Sequence, residues 1–482
     1  MDGHDGGVCL AQPSVWQRHM RYVSTRGTAP ELDFEHTMLT GLARDGGLYV
    51  PAAVPRLARD EIAALAGRPY EEIAQRVIAP FLGDAVPQDT LQTCIARAYG
   101  VFGHPARAPL RQLNENHFLL ELFHGPTLAF KDFAMQLIGQ LFQHALARRG
   151  TRATIVGATS GDTGSAAIEA FGGLDAVDVF ILYPHGRVSE VQRRQMTTPA
   201  AANVHALAVE GDFDDCQARV KDMFNDFAFR DAVGLAAVNS INWARVLAQT
   251  VYYVSAALSL GAPHRPVSFS VPTGNFGDIF AGNVAKRMGL PIDRLIVATN
   301  QNDILHRCLS GRGYHKGATI PSISPSMDIQ VSSNFERALF EAYGRDGAAV
   351  ARLMDELKTE GGFEVSQGAM ESLRETYASG RLSEPETKAA IAHWWNTTGE
   401  LLCPHSAIGV AVGEAQRSPD VPMISLATAH PAKFPDAVEE ATGLRPPLPP
   451  RMADLYDRPE RVTRIANDLA ALQAFIRENR IQ

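Results

Sequence analysis

The run Ala153-Thr154-Ile155-Val156 leads through Gly157-Ala158-Thr159-Ser160-Gly161-Asp162-Thr163-Gly164-Ser165 into a helical stretch ending at Phe171, and a second apolar run, Val179–Tyr183, follows. Strand, small-residue loop, helix, strand is the unit that builds parallel sheets. The rhythm extends in both directions. Upstream, Phe118–Leu122 reads as a short strand. After it Phe133, Leu137 and Leu141 recur four apart beside Ala134, Ile138 and Phe142, an amphipathic helix closed by Arg148, Arg149 and Gly150. Downstream, Pro266–Val271 and Leu295–Thr299 read as strands around a helix at Asp278–Met288, and Met423–Ala427 as a late strand. The chain should close with a helix over 459–478. The fold class is therefore α/β, with mostly parallel sheets flanked by helices. Residues 20–105 differ: short helical patterns at Glu61–Leu65 and Glu71–Ile78 lie among Pro51, Pro55, Pro69, Pro80 and Pro87. They predict a small helical N-terminal domain.

A chain of 482 residues exceeds what one hydrophobic core usually organises, so two or three domains are expected. Forty-five lysines and arginines against 53 acids give a net charge of −8, so no global positive field exists to hold nucleic acid. Val246–Pro263 is the longest uncharged stretch of interest, but Gln249, Thr250, Ser255, Ser259 and Gly261 interrupt it. It reads as a buried helix rather than a membrane span. Cys9, Cys94, Cys216, Cys308 and Cys403 form no C-x-x-C pair, and each reads as a small core residue in a reducing, cytoplasmic setting. Residues 1–19 lack a secretory pattern and are expected to be a disordered extension. The histidines show no metal-ligand spacing, so no metal site is expected.

Four segments carry small or polar residues away from a strand end, where open parallel sheets bind ligands. The first is His124-Gly125-Pro126-Thr127-Leu128-Ala129-Phe130-Lys131-Asp132. Lys131 opens a helix, where the dipole disfavours a cation, and its apolar neighbours add desolvation. Both effects depress an amine toward Schiff-base chemistry; a misplaced surface lysine is the alternative. The second is Gly157–Ser165, a helix-start anion cradle or else a turn capped by Ser160 or Asp162; it lacks the P-loop lysine. The third, Thr273-Gly274-Asn275-Phe276-Gly277-Asp278, is a similar cradle or a plain turn. In the fourth, Leu426–Phe434, Thr428 follows the strand, and His430 reads as packed or capping.

Together with Tyr22-Val23-Ser24-Thr25-Arg26-Gly27, and with the F-H-G-P-T-x-x-F-K-D form around Lys131, these segments resemble the threonine synthase family from Met20 to the end. The long N-terminal region is similar to the fungal and proteobacterial subclass. The resemblance implies fold type II of the pyridoxal 5'-phosphate (PLP) enzymes, with two mostly parallel sheet domains and a small N-terminal helical domain. It implies an N-terminal domain at 20–105, a PLP-binding core with a smaller substrate subdomain at 106–345, and a helical region at 346–482 completing the PLP domain.

The resemblance further implies that Lys131 carries PLP and then shuttles protons. Gly274, Asn275, Phe276, Gly277 and Asp278 would surround the PLP phosphate, Asp278 through its backbone N–H; the family commonly has Asn there. Thr428 would hydrogen-bond the pyridine nitrogen. Thr159, Ser160, Asp162 and Thr163 would line the substrate carboxylate. Asn302, Ser332, Ser333, Asn334 and Arg337 are candidates for the substrate phosphate. The implied substrate is O-phospho-L-homoserine and the product L-threonine, made by a cytoplasmic monomer, with a weak dimer as the alternative. Two rivals are a PLP phospho-lyase on a related phosphorylated amino acid and a non-catalytic phosphate-binding module. A catalytically silent paralogue is a third, against which Lys131 and both loops count.

Overall fold

The computed structural model describes residues 20–481; the expected extension over 1–19, with Cys9, lies outside the described residues. Two sheets organise the chain. The larger has six strands in the order Tyr377–Arg381, Ile292–Thr299, Val267–Pro272, Met423–Ala427, His117–Glu121, Leu110–Asn114. All its pairings are parallel except the last, an antiparallel edge. The smaller runs Thr463–Ile465, Val204–Val209, Val177–Pro184, Ala153–Ala158, Leu235–Ala236, parallel throughout. Val177–Pro184 and Val267–Pro272 are buried along their whole length. Helices cover both faces of such strands, which explains why even Asp178, Ser268 and Ser270 within them are buried.

Helix Lys131–Arg149 is buried on nearly every side over its first twelve residues. It packs against helix Asp162–Phe171 of the small-sheet body and helix Trp243–Ser259. The latter holds most of the uncharged stretch, preceded in its first turn by Arg245; among the described residues, no helix is long and apolar enough to cross a membrane. Cys94, Cys216, Cys308 and Cys403 are buried and unpaired.

The N-terminal portion holds helices Phe34–Thr40, Arg59–Ala63, Tyr70–Leu82 and Gln88–Gly100, plus an antiparallel pair, Tyr22–Ser24 with Tyr49–Pro51. Tyr22, Phe34, Ile73, Phe81 and Tyr99 belong to the same apolar cluster as Phe133 and Trp243, so this portion shares the main core.

The chain's end departs from expectation. Residues 459–478 do not form one helix. The β-branched Thr463-Arg464-Ile465 pairs as a strand with Leu207–Val209, and the helix starts at Leu469, where the Asp468 carboxylate accepts the Ala471 N–H at 2.8 Å. Strands Tyr377–Arg381 and Met423–Ala427 complete the large sheet, but Thr463–Ile465 and helix Leu469–Asn479 return to the small one.

Candidate active site

The four loops leave the carboxyl ends of parallel strands. After His117–Glu121 the chain turns through Leu128, which takes a left-handed φ of 63°. It then runs beside the segment after Met423–Ala427: Ala129 bridges Ala429, and the Phe130 N–H donates to the Thr428 carbonyl at 2.8 Å. Asp132 locks the turn by accepting the Thr127 N–H at 2.8 Å and hydroxyl at 2.6 Å. Lys131 opens the helix and is buried, as is Thr428. Burial pushes the Lys131 amine down; Asp162 opposes this, while Arg245 and Lys433 push the same way.

Asp162 is the first residue of its helix and faces two lysines rather than an open anion site. Its Oδ2 lies 3.3 Å from Lys131 Nζ and its Oδ1 3.0 Å from Lys433 Nζ. Gln192 Nε2 donates to Oδ1 at 2.9 Å. Burial works against this anion, but Lys433, Lys131 and Gln192 outweigh it and hold the carboxyl well below the usual range. Gly161 makes the approach possible: its φ is 140°, and a Cβ would lie 2.3 Å from the Gln192 side chain. Thr159 stabilises the turn, its hydroxyl accepting the N–H groups of Gly161 and Gly164 at 2.9 Å. Neither Ser160 nor Asp162 caps this helix; Gly161 holds that position. Ser160 and Thr163 are half-buried in the same turn.

After Val267–Pro272, Phe276 adopts a left-handed φ of 62° and helix Gly277–Arg287 begins at once. The turn is pinned from outside. Ser332 Oγ donates to the Gly274 carbonyl at 2.6 Å, and the Asn334 amide and backbone N–H both donate to the Asn275 carbonyl at 3.0 Å. A Cβ on Gly274 would stand 2.5 Å from the Ser326 carbonyl oxygen. The Asp278 side chain turns aside: its Oδ1 accepts the Tyr252 and Tyr253 hydroxyls at 2.5 and 2.9 Å, and its Oδ2 is buried without a partner. Burial raises its carboxyl to about 6, the two hydroxyls and Lys131 opposing. A depressed amine, a helix-start cradle within the field of that amine and a strand-end hydroxyl together fit PLP, an aromatic aldehyde with an anionic tail.

The candidates for the substrate phosphate are spent elsewhere. Arg337 is fully buried, donating to the carbonyls of Tyr49 and Ile241 and to Asn334 Oδ1. Asn302 donates to the Ile320 carbonyl and to Asp328. Ser332 and Asn334 hold the 274–275 turn; Ser333 is half-buried beside them. Ser332 and Asn334 thus brace the cradle, with Arg337 behind Asn334, while Asn302 ties the Ile320 and Asp328 segments together. Their polar side chains suggested a ligand because sequence does not reveal which acceptors the fold supplies.

Two residues went unnoticed in the sequence. Arg245 is buried, with Nε and Nη1 unpartnered, close enough to Lys131 to depress it. It is the third residue of helix Trp243–Ser259, after the Asn242 cap. A cation in the first turn of a helix is the signal that singled out Lys131, and it applied here too. His405 is buried among Asp162, Lys131 and Lys433; its Nε2 accepts the Ser326 N–H at 3.3 Å. Burial, opposed by Asp162 and aided by the two lysines, lowers it to about 4. A lone histidine on a helix gave no such signal. His430 behaves as expected, its Nδ1 accepting the Ala432 N–H.

Comparison with known proteins agrees along the chain. Residues 21–99 match the family model "Threonine synthase N terminus", 101–356 "Pyridoxal-phosphate dependent enzyme" and 406–476 "Threonine synthase, C-terminal". The threonine synthase of Pseudomonas aeruginosa is 57% identical over 462 residues, covering 95% of this chain and 98% of that protein. That of Saccharomyces cerevisiae is 42% identical, covering 87% and 88%. The crystal structure of PLP-bound threonine synthase from Brucella melitensis superposes with a TM-score of 0.95 at 56% identity, covering 96% of this chain and all of that one. With the lysine, the cradle and both sheets in place, the chain belongs to the threonine synthase family of PLP-dependent enzymes, fold type II.

Proposed function

We propose that this chain converts O-phospho-L-homoserine and water to L-threonine and phosphate, with Lys131 as the base that moves each proton. The buried amine of Lys131, 3.3 Å from the Asp162 carboxylate, carries this reading. PLP, when bound, supplies the electron sink that makes the substrate's Cα–H acidic. Lys131 and Thr428 would hold its aldehyde and ring nitrogen, and the backbone N–H groups of 274–278 its phosphate. A Thr428 hydroxyl donates to an unprotonated nitrogen, a weaker sink than a carboxylate would give.

With PLP as the sink, Lys131 would remove the Cα proton and then one from Cβ, and phosphate leaves from Cγ as the Cβ–Cγ double bond forms. Lys131 returns protons at Cγ and at Cα, and water adds its hydroxyl at Cβ, its other proton leaving with the phosphate. The Thr159–Thr163 turn, with its helix-start N–H groups and the hydroxyls of Ser160 and Thr163, would receive the substrate carboxylate. Asp162 belongs to the amine instead, because an anion paired to two lysines would repel a carboxylate. Arg245 replaces Asn302, Ser332, Ser333, Asn334 and Arg337 as our candidate for the substrate phosphate. Its unpartnered N–H groups are the donors a second anion needs. We further propose domain limits at 20–105, 106–345 and 346–482, with the last region divided between the two sheets. We place the enzyme in the cytoplasm as a monomer.

Incubation of the PLP-loaded protein with O-phospho-L-homoserine tests the reading. Phosphate and threonine should appear in equal amounts. Phosphate with a keto acid and ammonia, but no threonine, would establish the phospho-lyase. A colourless wild type that takes up no PLP would leave only the binding module. Lys131→Ala should abolish the visible absorbance of the loaded protein.

A further inference from the structure

We propose that Lys433 is a positioning residue for this reaction: its side chain pins the small-sheet body to the large-sheet body and holds the Asp162 carboxylate against the amine of Lys131. The inference rests on the reading of Lys131 given above. Lys433 lies six residues beyond the large-sheet strand Met423–Ala427 and is completely buried. Its Nζ donates to the Thr127 carbonyl at 2.7 Å and to Gln195 Oε1 at 2.9 Å, and it forms an ion pair with Asp162 Oδ1 at 3.0 Å. Thr127 belongs to the turn that delivers Lys131, and Asp132 locks it. Asp162 opens the helix after the small-sheet strand Ala153–Ala158. Gln195 lies on helix Glu190–Thr197, which follows the small-sheet strand Val177–Pro184. The same helix sends Gln192 to Asp162, and Ser189, its cap, donates to the Lys433 carbonyl at 3.3 Å. Every acceptor but Thr127 comes from the small-sheet body.

A buried ion pair contributes little to stability that well-packed apolar side chains would not supply. The contact of Lys433 with the carboxylate that also faces Lys131 ties it to the chemistry. During turnover Lys131 must alternate between holding and releasing a proton. With one cationic partner, Asp162 would lose its counter-charge whenever Lys131 became neutral, and would compete for the proton. Lys433 keeps the carboxylate paired through that state, so Asp162 stays ionised and Lys131 remains the base that takes the next proton. The charged and titratable groups around Lys131 are Asp162, Arg245, Lys433, His405 and Asp278. Of these, Lys433 alone binds Asp162 as a second cation.

The test titrates the visible absorbance of the PLP-loaded protein with pH, without substrate. Lys433→Met removes a positive charge near the Lys131 nitrogen, so the midpoint should rise by about 1 pH unit or more. Asp162→Asn should shift it the other way. Lys433→Arg should bring it back toward wild type, and kcat of Lys433→Met should fall by about tenfold with PLP still bound, the equivalent of about 1.4 kcal/mol. A purely structural pin would change stability and leave the midpoint alone. Gln195→Leu keeps the charge but loosens it, and should give a smaller rise; it serves if Lys433→Met does not fold. A wild-type midpoint in PLP-loaded Lys433→Met, or in Gln195→Leu where the first does not fold, overturns the proposal. A wild type that binds no PLP overturns the reading of the reaction, and this inference with it.

Discussion

Gly274→Ala should weaken PLP binding with little effect on the rest of the fold. The added Cβ would stand 2.5 Å from the Ser326 carbonyl oxygen, roughly 0.9 Å inside the ordinary 3.4 Å contact limit. Neither side yields easily. The Gly274 carbonyl is held by Ser332, and the Ser326 turn by the Met327 N–H to Ser324 carbonyl bond at 2.9 Å and by the bond to His405. Overpacking of this kind costs about 1–3 kcal/mol. If the strain falls on the N–H groups of the cradle, affinity drops about 5- to 150-fold. The assay titrates PLP-free protein and follows the visible band. Thermal unfolding of the same PLP-free protein reports the fold. Gly368→Ala is the control, because nothing lies within 4 Å of its new Cβ. A Gly274→Ala protein that binds PLP within twofold of wild type would refute the assignment of this turn to the cofactor phosphate.

Arg245→Met should lower kcat/KM by about tenfold or more through KM, with PLP affinity unchanged. It should also stabilise the protein by about 1–3 kcal/mol, since it removes a buried guanidinium with two unpartnered N–H groups. Urea denaturation showing a loss of stability instead would mean those groups have partners. Arg337→Met should destabilise by about 3 kcal/mol or more, because it orphans the carbonyls of Tyr49 and Ile241 and frees Asn334. Its KM should stay near wild type; a large rise would restore Arg337 as a phosphate ligand. Asp278 binds its proton more tightly folded (about 6) than unfolded (near 3.8), so its protonated form favours folding. That contribution is full below about pH 4 and is lost as pH rises through 6, by up to about 3 kcal/mol. Asp278→Asn should flatten this fall in urea midpoints of the PLP-free protein; parallel curves for the two proteins would contradict it.

The strands and the central helices were legible because burial leaves a periodic trace. Val179–Tyr183 is apolar without interruption, Ala153–Val156 is broken only by Thr154, and Phe133, Leu137 and Leu141 repeat at helical spacing. Lys131 was legible because a cation at a helix start is electrostatically out of place. Partner identity leaves no such trace. The family resemblance implied that Asp162 lines the substrate carboxylate; Lys433, 271 positions away, pairs with it as a counter-ion. Arg337 and Asn302 looked like free donors because the carbonyls that occupy them belong to remote loops. The end of the chain was misread for a related reason. Three residues, Thr463–Ile465, are too few to show a period, and only their neighbour Val204–Val209 makes them a strand.

That short strand has a consequence for synthesis. The small sheet gets its other members from residues 153–236, yet its outer edge stays unpaired until residue 465 is available, about 250 positions after its partner. While the ribosome is still elongating, Val204–Val209 presents an open backbone ladder, the kind of surface that captures stray chains. Nascent protein is therefore vulnerable to aggregation until Thr463–Ile465 has been made, and a message truncated before those codons would release a product with that edge exposed.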